Sequence, residues 1–149
     1  MGDSIQIRFA KKEDLQAIRQ LVIELAIFEK VPNAVKATDF DYEEAYVSNL
    51  ITMLIAEDQG VIKGMTLFYD TFSTWIGKML YLEDFVVSQK YRNQGIGSLL
   101  FDATIKEAKA RNCKMIKWQV LDWNSGAVKF YEEKGATIEK EWWNGKIIF

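Results

Sequence analysis

Apolar and polar residues alternate over Ile5–Ala10, with Ile5, Ile7 and Phe9 on one side, which is the two-residue period of a half-buried strand. From Glu13 the period lengthens. Leu15, Ile18, Leu21, Val22, Leu25 and Phe28 form a helical stripe, closed off by Pro32, the only proline. Asp39 to Leu50 predicts a shorter helix with Thr38 as its N-cap. Thr52–Glu57 and Val61–Tyr69 predict two strands joined at Asp58-Gln59-Gly60, a hairpin signal. Gly77 breaks the next stretch, and Met79–Val87 is a long apolar strand. Gly95–Arg111 predicts a helix with Ile96, Leu99, Leu100, Ala103 and Ala108 facing inward. Met115–Val120 predicts a further strand, and Asn124 caps a helix that runs to about Lys134 and stops at Gly135. Ile138–Trp142 and Lys146–Phe149 predict a closing hairpin around Asn144-Gly145. The order β-α-α-β-β-β-α-β-α-β-β describes a mixed α/β sheet without internal repeats or linkers.

At 149 residues the chain has the length of one domain, 1–149, with enough apolar sequence (49%) to bury a core. No segment approaches the apolar length of a membrane helix, and no N-terminal block resembles a signal peptide. Met1-Gly2 lacks a myristoylation signal, because Gln6 stands where Ser or Thr is required. The expectation is a cytoplasmic protein that binds no membrane. A net charge of −2 gives no nucleic-acid footprint. The acidic run Asp39, Asp41, Glu43 and Glu44 suits a solvated helix start, or else a rim that attracts a cationic substrate.

Two absences narrow the chemistry. Without histidine, Ser-His-Asp and Cys-His nucleophile systems are ruled out; with one cysteine, Cys113, so are an internal disulfide and a Cys-rich zinc site. No metal is expected. Acid/base work falls to carboxylates, Tyr, Lys or Cys113. Two carboxylates, Glu83 and Asp84, sit in the apolar strand Met79–Val87, and strict alternation places them on opposite faces. Directly after it, Arg92-Asn93-Gln94-Gly95-Ile96-Gly97-Ser98 opens a helix. Unpaired N–H groups at a helix start bind phosphate, and glycine lets a bulky anion approach. Taken alone, the glycine pair also suits a plain turn. It is not a Walker A loop and lacks the third glycine of a dinucleotide fold.

Arg92-Asn93-Gln94-Gly95-Ile96-Gly97 resembles the acetyl-CoA pyrophosphate loop of the GCN5-related N-acetyltransferases. Asn124, Phe130-Tyr131 and Gly135 resemble that family's second signature, in the same order and spacing. Within the family, Trp75-Ile76-Gly77-Lys78-Met79-Leu80-Tyr81-Leu82-Glu83-Asp84-Phe85 resembles the signature strand of the spermidine/spermine (diamine) acetyltransferases, as do Glu24-Leu25-Ala26, Phe28-Glu29 and Tyr91-Arg92. The resemblance implies the GNAT fold: a twisted, mostly antiparallel sheet of about seven strands with four helices packed on both faces. It also implies an N-acetyltransferase that takes acetyl-CoA as co-substrate, transfers directly to a small-molecule primary amine in a ternary complex, and forms a homodimer. Protein or peptide acetylation, and a non-catalytic acyl-CoA-binding module, are the alternatives.

An ammonium with a pKa of about 10 must lose a proton before it can attack, and a carboxylate can accept it directly or through water. The resemblance implies Glu83 as that base. Asp84 has either a substrate role or a structural one. It implies Tyr131 as the acid that protonates the leaving thiolate. Backbone N–H groups of Gln94, Gly95, Ile96, Gly97 and Ser98 would hold the pyrophosphate, with help from the Ser98 hydroxyl and the Arg92 side chain. The main chains of Phe85 and Val87 would pair with the pantetheine arm as an extra strand does. Asn124 would also contact the cofactor. Glu29, Trp75, Glu83 and Asp84 would bind the amine, and Trp75, Trp142 and Trp143 would either wall the acceptor site or serve as core or dimer-interface aromatics.

The chain departs from the diamine branch at Ser73, where the branch is acidic, and at Pro32-Asn33, which replaces an acidic pair. Asn124-Ser125-Gly126-Ala127 loses one hydroxyl contact to CoA. Fewer carboxylates imply a weaker hold on a long polycation. A short diamine, a lysine analogue or an amino acid then competes with spermidine as the acceptor.

Overall fold

The computed structural model describes residues 4–149; Met1-Gly2, read above for myristoylation, lies outside them. Two compact units divide the chain, Met1–Trp118 and Gln119–Phe149. The first contains β1 (Gln6–Phe9), α1 (Leu15–Phe28), α2 (Asp39–Val47), β2 (Thr52–Asp58), β3 (Val61–Ser73), β4 (Gly77–Val87), α3 (Ile96–Ala110) and β5 (Met115–Lys117). The second contains α4 (Ser125–Glu133).

The sheet runs β1-β2-β3-β4-β5, antiparallel throughout except for the parallel β4–β5 pair. Its order follows the chain because tight turns join β2 to β3 and β3 to β4. At the first turn Gln59 (φ 50°) and Gly60 (φ 82°) both take the left-handed conformation that a two-residue hairpin needs. Five strands stand where about seven are expected. Met115–Val120 shortens to Met115–Lys117, and the segments 138–142 and 146–149 form no strands. Their Asn-Gly turn is a local signal only. A strand forms by pairing, and an isolated hairpin is marginal in water.

The pleat divides the core between two faces. On one, Ile18 and Leu21 of α1 pack on Met53, Ile55, Met65, Leu67 and Val86, with Tyr42 and Tyr46 of α2 at the margin. α2 itself begins with a capping box in which the Thr38 hydroxyl accepts from the Asp41 N–H, and Asp41 accepts from the Thr38 N–H. On the other face lies α3. Its buried residues are Ile96, Leu100, Phe101, Thr104 and Ala108, while Leu99, predicted to face inward, is 43% exposed. The fully buried Thr104 hydroxyl donates to the Leu100 carbonyl at 2.8 Å. Its single proton is thereby used, so the Thr66 hydroxyl donates to Thr104 across 2.9 Å.

At Gly64 of β3 both α3 and β4 pack close to the backbone. A Cβ there would stand 2.9 Å from the Val86 carbonyl oxygen, 3.1 Å from Leu100 Cδ1 and 3.3 Å from Val87 Cα. The backbone contacts cannot yield without breaking the Gly64–Val87 pairing. Gly64→Ala is therefore expected to cost about 1–3 kcal/mol through overpacking. It should lower the urea midpoint at constant m value, and an unmoved midpoint would show that the strands can part there.

Candidate active site

A β-bulge in β4 builds the acidic part of the site. Asp84 pairs with Leu67 and Leu82 with Phe68, so Glu83 is the extra residue between them. Counting along β3, Leu67 and Tyr69 share the face of α1, and Tyr81 opposite Tyr69 shares it too. The bulge therefore corrects the alternation expected from the sequence. Glu83 and Asp84 both point to the α1 face, not to opposite faces.

Their neighbours fit that placement. The Tyr69 hydroxyl donates to Glu83 Oε1 at 2.8 Å, and the Tyr69 and Tyr81 rings stack with centroids 5.6 Å apart. Glu29 closes the C-terminal end of α1. Burial first, then the charges of Glu83 and Glu29, push the Asp84 carboxyl up to about 6. Burial likewise raises Glu29. The phenols move in the same direction: Tyr42 goes up to about 12, from burial, then Asp84 and Glu83, with Arg19 opposing. Burial and the Glu83 hydrogen bond raise Tyr69, and burial and the Glu83 charge raise Tyr81. Three carboxylates and three tyrosines thus share one electrostatic environment on one face. Such a face attracts an organic cation and takes up protons.

Sequence reasoning missed Tyr42, Tyr69 and Tyr81. A signal for two of them existed: a hairpin centred on Trp75 pairs position 69 with position 81. Trp75 itself stands at the hairpin tip, 84% exposed, where the Ser73 hydroxyl accepts from the N–H groups of Trp75 and Ile76. Six residue steps of β4 separate Gly77 from Glu83, roughly 20 Å at strand rise. The structure thus joins Glu29, Glu83 and Asp84 but leaves Trp75 apart from them.

Next to the acidic face the sheet opens. The parallel pairing of β4 with β5 covers Met79–Tyr81 against Met115–Lys117 and ends there. Beyond it, Leu82–Val87 pair with β3 on one side only. This leaves an edge that an extended chain can join at Phe85 and Val87. The Val87 carbonyl already accepts from Arg92 Nε at 3.0 Å, so the two candidates are tied to each other. A carbonyl has a second lone pair, so the bond does not remove Val87 as an acceptor.

Beyond β4, the segment 88–95 carries the chain to the start of α3. Asn93 (φ 64°) and the N-cap Gly95 (φ 80°) are left-handed, and Gly95 brings no side chain to cap the first turn. A Cβ at Gly95 would meet nothing within 4 Å, so the turn opens outward. Ile96 is 1% exposed and anchors it in the core, leaving only its backbone for a ligand. Gly97 lies against the Phe85 ring, 3.5 Å from an added Cβ. With Gln94 and Ser98 these positions form the start of α3, the end of a helix at which backbone N–H groups point outward along its axis.

In the second unit, Asn124 caps α4 by accepting from the Ala127 N–H at 3.2 Å. Tyr131 lies in the last turn of α4 with its ring edge-on to Phe130, centroids 5.6 Å apart. Gln119 donates to Asn144, and Trp142 and Trp143 are 70% and 94% exposed, so neither is a core residue within the chain.

The acetyltransferase (GNAT) family profile matches residues 15–136. Thialysine N-epsilon-acetyltransferase of Mus musculus is 36% identical over 94% of this chain and 89% of its own. The Homo sapiens spermidine/spermine N(1)-acetyltransferase-like protein 1 is 34% identical over 90% of this chain, though over 21% of its own length. Among solved structures, an aminoglycoside acetyltransferase from an uncultured soil metagenomic sample, in complex with sisomicin, superposes with a TM-score of 0.83. It covers 99% of this chain and 98% of its own at 17% identity, a likeness of fold. Bulge, open strand edge and uncapped glycine turn come from the same stretch of chain that these matches span: the chain belongs to the acetyltransferase (GNAT) family and is an acyltransferase similar to the diamine branch.

Proposed function

We propose that the chain is an acetyl-CoA-dependent N-acetyltransferase, a single catalytic domain that acetylates a primary amine of a small molecule by direct transfer in a ternary complex. The observation that carries this reading is the β4 bulge, which turns Glu83 and Asp84 together toward Glu29 beside the open edge of β4. The residues present fit acetyl-CoA. The Leu82–Val87 edge suits an extended amide-bearing arm, and the Gly95 turn suits a pyrophosphate. When bound, acetyl-CoA supplies the activated acetyl carbon.

The remaining work belongs to the protein. Glu83, held by Tyr69, and Asp84, with its raised basicity, take the proton that the ammonium must lose. Three carboxylates exceed what one proton transfer needs. The remaining negative charge suits an acceptor with a second, charged amine, such as a short diamine, a lysine analogue or a basic amino acid. Tyr131 returns a proton to the departing thiolate, a role supported by the Asn124, Phe130-Tyr131 and Gly135 motif. A homodimer in the cytoplasm belongs to the same reading.

An acceptor panel with acetyl-CoA and thiol detection tests it. Diamines, lysine analogues and basic amino acids should outrun monoamines. Faster release with peptides would point to protein acetylation. CoA binding without thiol release on any amine would leave an acyl-CoA-binding module.

A further inference from the structure

The last two turns of α1 grip the segment that carries β4 into the glycine turn. Glu24 and Phe28 are four residues apart and so lie on one stripe of the helix. Glu24 Oε1 accepts from the Ser88 hydroxyl at 3.2 Å and faces the Gln89 N–H at 3.5 Å. The Phe28 ring lies 4.8 Å from the Arg92 guanidinium carbon, and Arg92 Nε holds the Val87 carbonyl. Residues 88–92 are thus fastened at both ends to one helix. Phe28 is 39% exposed and Glu24 half-buried, while Ser88, which Glu24 holds, is buried. The residue that caps α1, Glu29, adds its charge to the acidic cluster. One helix end therefore meets both halves of the site.

A loop that offers N–H groups to a phosphate binds more tightly if it is ordered beforehand, because the ordering cost is then not charged to binding. We infer that Glu24 and Phe28 are positioning residues for the phosphate-binding turn at Arg92–Ser98. They act through Ser88, Gln89 and Arg92 and do not touch the ligand. This inference rests on the acetyl-CoA reading above.

The test uses calorimetric titration with CoA and amide hydrogen exchange over residues 87–98 of the ligand-free protein. Phe28→Leu removes the ring beneath the cation and should weaken CoA binding roughly two- to fivefold. Glu24→Ala removes the carboxylate and should weaken it about tenfold. Both should speed exchange across 87–98 and leave the KM for the amine unchanged. Phe28→Tyr keeps the aromatic face and should match the wild type. CoA affinity unchanged in both variants would overturn the inference. So would Phe28→Tyr behaving like Phe28→Leu, or an amine KM rising in step with the CoA constant. If the wild type does not bind CoA at all, the acetyl-CoA reading falls and the inference with it. If the wild type binds and the variants bind equally well, the inference alone falls.

Discussion

Asp84→Asn is expected to raise the thermal midpoint at pH 7 while lowering kcat/KM about a hundredfold or more. The two effects have one cause. Burial, Glu83 and Glu29 hold the Asp84 carboxyl at about 6, against roughly 3.9 in an unfolded chain. The native state therefore binds this proton more tightly than the unfolded state does. Stability contributed by the protonated form is fully present below about pH 4 and is lost as pH rises to about 6. By pH 7 the ionised group costs on the order of 3 kcal/mol. Asparagine has nearly the same shape and no charge, so the variant should unfold roughly 6–12 °C higher at pH 7 for a chain of this size. At pH 4 the gap should close. An equal gap at both values would mean that the charge is not its source.

The same shift predicts the pH profile. If Asp84 takes the proton, wild-type kcat/KM rises through pH 6 as the carboxyl ionises. The groups that bear on it are Glu83 on its own strand, Glu29 from α1, Tyr42 from α2 and Tyr69 from β3. Glu83→Gln removes the nearest like charge, so the rising limb should move to lower pH. Asp84→Asn should abolish the limb. Retention of both the limb and the rate in Asp84→Asn would assign the proton transfer to Glu83 alone.

The elements that position this site could be read from the chain, whereas its facing could not. β4 announces itself as the long apolar run ending at Val87, and the start of α3 by Gly95 and Gly97, because both are local properties. The bulge is not local. Leu82, Glu83 and Asp84 look like any alternating triplet, and the extra residue exists only relative to Leu67 and Phe68 on β3. A slip of one residue turns a side chain to the other face, so the reading that put the two carboxylates apart was overturned by a pairing no single segment contains. Phe101 was missed for a related reason. The stripe Ile96, Leu100, Ala108 admits either Leu99 or Phe101 as its neighbour, and contacts with Phe85 and Trp118 select Phe101. The C-terminal hairpin failed in the opposite direction: Asn144-Gly145 is a strong turn signal, but Ile147, Ile148 and Phe149 are more than 80% exposed and join no strand.

Tyr131→Phe is expected to cut turnover about a hundredfold or more while leaving CoA affinity near its wild-type value. The substitution removes one oxygen and keeps the ring, so the edge-on packing with Phe130 persists. Stability should change by less than about 1 kcal/mol, the net worth of one ordinary hydrogen bond. What is lost is a proton donor. With neither histidine nor a second tyrosine in α4, phenylalanine leaves Lys129, Glu132 and Glu133 as the ionisable groups of this helix, none of them at the motif position of Tyr131. Turnover should then depend on solvent acid. Small buffer acids should restore part of the rate in Tyr131→Phe and have no effect on the wild type. Calorimetry with CoA and steady-state rates on the best acceptor of the panel make the check. A variant that keeps full turnover removes Tyr131 from the chemistry, and one that loses CoA affinity in proportion to turnover makes it a binding residue.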